Sequence, residues 1–191
     1  MLEQVRHAWT LPAEELHEIN GYQVKRNGRL MLLHRPENSE LNNVLHVIAY
    51  PKPEHLQQFA DAVKTTLKHG PGYRNPGSVG SLEMRKRTEK SEFVVAYIQG
   101  HFKIGRPAPF ISPELAREYA NWKIKILREA LEFAKAQGKS VIIPEVILQG
   151  ALNTKRGTTR MRQIQHAIQL VNGKYEENKD GYYEGIKISF E

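Results

Sequence analysis

Apolar positions recur along the chain with two periods, and the change from one to the other marks the elements. Tyr22-Gln-Val-Lys-Arg-Asn27-Gly28-Arg-Leu-Met-Leu-Leu33 places Asn-Gly between two strand-like runs. That dipeptide is a strong hairpin signal, because both of its positions tolerate positive φ. Residues 43–50 read as a third strand, closed by Pro51 and Pro53. Leu56, Phe59, Val63 and Leu67 then fall at i, i+3, i+7 and i+11, the stripe of an amphipathic helix. Gly70-Pro71-Gly72 stops that helix, and residues 70–80 hold too much Gly and Pro for a regular element. Strands are predicted near 80–88 and 92–99. Phe93-Val-Val-Ala-Tyr-Ile98 is apolar almost throughout, which fits a strand covered on both faces.

A second irregular stretch, Gly100 to Ser112, leads into Ser112-Pro113-Glu114: a hydroxyl cap, a proline for the first turn and an acid near the positive dipole end. The helix begun there is expected to reach about Gln137, burying Leu115, Tyr119, Trp122, Ile126, Ala130 and Phe133, with Gly138 just past its end. Residues 141–148 are expected as a strand, with Pro144 as a bulge or an early stop. A last helix begins at Thr158 or Thr159, carries Met161, Ile164, Ile168 and Val171 inward, and ends at Asn172-Gly173. Gly185 to Phe190 alternates as a final strand, placed at a sheet edge. A short helix over 12–19, opened by Pro12, completes the reading. The order gives an α/β (α+β) fold: one mixed, largely antiparallel sheet with an N-terminal meander, flanked by three main helices. The 191 residues suit a single domain, with 1–20 as a possible N-terminal extension.

Charge sharpens this picture. The net charge is +7, unevenly spread. Residues 1–60 hold 6 Lys/Arg against 7 Asp/Glu, whereas residues 61–110 hold 9 against 4. No acid lies between Glu145 and Glu176, a stretch containing Lys155, Arg156, Arg160, Arg162 and Lys174. Local positive excess attracts polyanions, so nucleic acid or a phosphate-bearing ligand is the expected partner, with basic blocks at 61–110 and 155–162. The chain has no cysteine, which removes disulfide, thiolate-metal and thiol-nucleophile chemistry. With no apolar run of membrane-spanning length, the expectation is a soluble, cytoplasmic protein without a membrane partner. The sequence leaves the oligomeric state open.

Phosphate-loop, zinc-protease and serine-elbow signatures are absent. The eight histidines are scattered with no i, i+4 pair, so no metal site is expected. Two segments carry candidate chemistry. In the first, a covered strand runs into a loop with Gln99, His101, Lys103 and Arg106 just before a helix start, where α/β sheets tend to place ligands. There Lys103 and Arg106 would hold a phosphate with Gln99 beside them, and His101 or Glu145 would move a proton. In the second, Lys155, Arg156, Arg160 and Arg162 gather at a helix start. Cations there oppose the helix dipole, and a bound anion would resolve the conflict.

Asn75-Pro76-Gly77, then Tyr97-Ile98-Gln99-Gly100-His101-Phe102, then the Trp122–Gly138 helix resemble a domain of phage and mobile-element polyvalent proteins named for its Glu-Ile-Gln-Ser-Asp-Trp motif. The likeness covers about residues 73–148. Gln99 matches the motif; Gly100-His101 stand in place of Ser-Asp, and Tyr97 in place of its acid. The element order is also similar to that of GNAT-type N-acyltransferases. That resemblance implies acyl-CoA as cofactor and a Gln/Arg-x-x-Gly-x-Gly/Ala pyrophosphate loop, at whose place this chain has Gln99-Gly-His-Phe-Lys-Ile-Gly105. Two functions follow as expectations: acyltransferase-like group transfer, or a non-enzymatic nucleic-acid-associated module.

Overall fold

A computed structural model describes residues 1–12, 15, 18–39, 42–64, 76–87, 90–102, 104–105, 110–152, 157–180 and 183–191. The elements in chain order are α1 (Leu2–Thr10), β1 (Glu18–Ile19), β2 (Tyr22–Asn27), β3 (Leu30–Ser39), β4 (Asn42–Tyr50), α2 (Pro53–Lys64), β5 (Gly80–Arg87) and β6 (Glu92–Gly100). There follow α3 (Pro113–Glu118), α4 (Trp122–Ala136), β7 (Ser140–Pro144), α5 (Glu145–Leu152), α6 (Gly157–Leu170), β8 (Gly173–Asn178) and β9 (Gly185–Phe190). The strands pair in the order β1-β2-β3-β4-β5-β6-β7-β9-β8, an open sheet. β1 to β4 form the expected meander, and β6 with β7 is a parallel pair among antiparallel ones. The α+β class and mixed, mostly antiparallel sheet therefore agree with the sequence pattern.

The chain divides into two compact units, each made of three segments. The first comprises Met1–Arg35, Val47–Ser81 and Gln99–Trp122. Here α1 lays Val5 and Ala8 on Ile19, Met31, Leu33, Ile48, Tyr50 and Leu56, all buried. The end of α1 is held by Arg26 of β2. Its guanidinium donates to Ala8 O at 2.5 Å and to Leu11 O, and lies 5.5 Å from the Trp9 ring centre. A cation bonded to the last carbonyls of a helix satisfies otherwise orphaned acceptors and suits the dipole. The β2–β3 hairpin turns on Gly28-Arg29 and not on Asn27-Gly28, since Asn27 already pairs with Leu30. Gly28 has φ 62° and Arg29 is not in the positive-φ region, so a turn with glycine first replaces the expected one.

The second unit comprises Pro36–His46, Leu82–Ile98 and Lys123–Glu191. Its buried apolar residues include Phe93, Val94 and Val95 of β6, Ile126, Leu127, Ala130 and Leu131 of α4, the β7 residues Val141 to Ile143, and Ile164, Ala167 and Ile168 of α6. Glu92, itself buried, is neutralised by Arg87 Nη1 at 3.3 Å and Lys187 Nζ at 2.5 Å.

Several elements differ from the periodicity reading. A helix that was not expected, α1, precedes the segment 12–19; within that segment Glu18-Ile19 is strand, and residues 13–14 and 16–17 of the expected helix lie outside the described residues. The expected 113–137 helix breaks at Tyr119–Asn121 into α3 and α4, although Ser112 does cap it, its Oγ accepting from Leu115 N at 3.2 Å. Gly138 follows α4 at φ 63°, as expected. Residues 141–148 are not one strand. Pro144 ends β7 and Glu145 opens α5, whose first main-chain N–H donates to Glu184 O at 2.6 Å. Proline has no N–H for the ladder but ends a strand without loss. The last strand, β9, is interior to the sheet, flanked by β7 and by β8, which was not anticipated. Among the described residues there are six helices, where three main helices and a short one over 12–19 were expected. Leu67 and the Gly70–Gly72 stop lie outside the described residues.

Candidate functional site

The loop after β6 was the first candidate. Gln99 is exposed at the strand's end, while His101, two residues on, is 7% exposed. The His101 main-chain N–H donates to Val79 O at 3.1 Å. Its ring sits between two hydroxyls, Ser78 Oγ 2.5 Å from Nδ1 and Ser81 Oγ 2.9 Å from Nε2. Both serines are buried. Burial disfavours the imidazolium and lowers the His101 pKa to about 4. A neutral ring has one N–H and one lone pair, so one serine donates to it and the other accepts from it. Trp122 closes over the same place. A Cβ on Gly80 would meet its Cη2 at 2.5 Å and Gln99 O at 2.7 Å, so only glycine fits where β5 starts beside the end of β6. This geometry locks β5 to the end of β6 through a neutral histidine. Lys103 and Arg106 lie outside the described residues.

The remaining expected residues distribute as follows. Glu145 is half-buried in the first turn of α5 and not on a strand, which corrects its placement. Arg160 lies on α6, and its side chain is outside the described residues; Arg162, on the same helix, is exposed. Lys155 and Arg156 lie outside the described residues. Tyr119 and Trp122 are core, as their helix positions imply.

The second unit holds a concavity that none of these residues lines. It measures about 280 Å³ and is walled by Ala96, Tyr97 and Ile98 of β6, Lys123 and Leu127 of α4, Val146 and Ile147 of α5, and Gln163 and Ile164 of α6. Six of the nine lining residues are apolar, and Val146 is 76% exposed at its side. The polar residues of its lining are Tyr97, Lys123 and Gln163. Two sequence features bear on why the cleft exists. β6 is buried from Glu92 to Val95 and opens from Ala96 onward, and Pro144 diverts the chain from β7 into α5 at the cleft's margin. The first was foreshadowed by the apolar run, but the second was misread as strand. A largely apolar hollow with a few polar residues in its lining has the character of a small-molecule site. Among the described residues, no group of three or more His, Asp or Glu is placed to hold a metal ion. No helix there is long and apolar enough to cross a membrane. No protein-family model, curated protein or solved structure matches the chain.

Proposed function

We propose that this protein binds a small anionic ligand with an apolar body, such as a medium-chain carboxylate or an alkyl phosphate, in the cleft of β6, α4, α5 and α6. The observation that carries this reading is a mostly apolar lining that includes the basic residue Lys123, in a cleft two of whose walls, α5 and α6, lie largely within the acid-free stretch after Glu145 and before Glu176. The apolar body would displace water from Leu127, Ile147 and Ile164. The acid group would meet Lys123 and the Gln163 amide. An acyl chain presented by acyl-CoA falls within the same chemistry. Group transfer would need a proton-moving group at the cleft. Tyr97 and Lys123 are the titratable groups among its lining residues, so binding is the better-supported part of the earlier expectation.

The test is calorimetric titration with octanoate, octyl phosphate and acetyl-CoA, alongside thermal shift. Saturable heat is expected for at least one of them, with Lys123→Met weakening it by about tenfold, or about 1.4 kcal/mol. Leu127→Trp should fill the cleft and abolish it. No heat from any of the three at millimolar concentration would refute the reading. The basic stretch also supports association with nucleic acid. That alternative predicts duplex or RNA binding whose affinity falls steeply with salt and which Leu127→Trp leaves unchanged.

A further inference from the structure

We propose that the chain forms a two-fold symmetric dimer through antiparallel pairing of β8 with β8 of a second copy, in the register centred on Tyr175. β8 ends the strand order, and among the described residues β9 is the strand that pairs with it. Its other edge therefore offers main-chain donors and acceptors. Lys174, Tyr175, Glu176 and Glu177 are all exposed. Tyr175 is 45% exposed, its phenol accepting from Gln165 Nε2 at 2.9 Å, which braces the ring at the edge.

Charged side chains on an edge strand usually guard against edge-to-edge pairing, and the guard works when like charges meet. Symmetry decides which charges meet here. A two-fold axis perpendicular to a continuous sheet keeps faces matched, so it must pass midway between a residue and its own copy, which then pair with each other. Centred on Lys174, Glu176 or Glu177, the axis sets like charges against each other. Centred on Tyr175, it sets Tyr175 against Tyr175 and Lys174 against Glu176 of the second copy, twice. Within each chain Glu176 already stands opposite Lys187 of β9. The pairing thus extends a ladder of alternating sign, Lys187 to Glu176 to the second copy's Lys174. In the single chain Lys174 forms an ion pair with Glu191, which is exposed and exchangeable. Of the four registers centred on these exposed residues, one is self-complementary, and that favours a second copy of this chain as occupant.

Sedimentation velocity and light scattering on the full chain, over a concentration series into the millimolar range, provide the test. A monomer–dimer equilibrium is expected, with the dimer at twice the chain mass. Glu176→Lys and Lys174→Glu should each weaken it by at least about tenfold, since each opposes like charges. The double exchange, Lys174→Glu with Glu176→Lys, should restore it. Far-UV circular dichroism confirms that each variant is folded. The proposal is overturned by a wild type that stays monomeric throughout, or by a dimer that the two single exchanges leave unchanged. It is likewise overturned if the double exchange fails to recover what the single ones lose.

Discussion

His101 sits in a place where a proton costs stability. Burial holds its folded-state pKa near 4, against 6.5 for the unfolded chain. Between those values the unfolded state binds more protons, so stability is complete above about pH 6.5 and falls as the pH drops toward 4. The full loss is about 3 kcal/mol, of which about 2 kcal/mol is gone at pH 5. A His101→Gln variant keeps a donor and an acceptor for Ser78 and Ser81 but does not titrate. It is expected to be the less stable protein at pH 7, and the gap should narrow by about 2 kcal/mol at pH 5. Urea unfolding of both proteins at the two pH values measures this, and the other histidines cancel in the difference. A gap independent of pH would mean that His101 is not held neutral by burial. From sequence alone His101 read as a candidate proton carrier, because its residue type and its position after a covered strand were visible. What was not visible is that Ser78 and Ser81, more than 19 residues earlier in the chain, close on both ring nitrogens.

At the level of elements, the break between α3 and α4 shows where periodicity stops being informative. Leu115, Tyr119, Trp122 and Ile126 keep helical spacing across it, so nothing local announces an interruption. The cause is tertiary: the buried Tyr119 phenol accepts from Lys52 N–H at 3.1 Å and bonds His55 Nδ1 at 2.8 Å, and its ring meets Phe59 edge-on at 5.4 Å. Tyr119→Phe keeps the packing but strips both polar partners, and is expected to cost about 1–3 kcal/mol. The urea midpoint should fall with the slope unchanged, and an unaltered midpoint would show that the phenol contributes nothing. Other elements divide by the same rule. The β2–β3 hairpin, the buried start of β6 and the Ser112 cap depend on neighbours in sequence, and they were legible. α1 had a signal in the Leu2, Val5, Ala8 and Trp9 spacing, which went unread. β8, Gly-Lys-Tyr-Glu-Glu-Asn, carries no apolar alternation, because it is an exposed edge that takes its pairing from β9. The cleft was the least legible feature: its nine lining residues come from four separated elements, and only the apolar β6 run and the acid-free stretch hinted at it.

For the whole molecule, the two units cannot be separated by one cut. The boundaries fall within β3, β4, β5 and β6, and at the start of α4, so four strands each give one end to each unit. Melting one unit would free part of a strand whose remainder still carries ladder bonds in the other. A single cooperative transition is therefore expected, and the placement of the tryptophans makes it testable. Both, Trp9 and Trp122, lie in the first unit, Trp122 at its boundary, so tryptophan fluorescence reports chiefly that unit, whereas far-UV circular dichroism reports both. Their thermal curves should superimpose. Core truncation sharpens the comparison: Leu33→Ala in the first unit and Ile168→Ala in the second remove fully buried side chains, at about 2–5 kcal/mol each. Each should lower the common transition by several degrees, at about 2–4 °C per kcal/mol for a chain of this length, and should move both probes together. If Ile168→Ala shifted the dichroism curve and left fluorescence in place, the units would unfold independently. The shared strands would then be two short strands in series and not single elements.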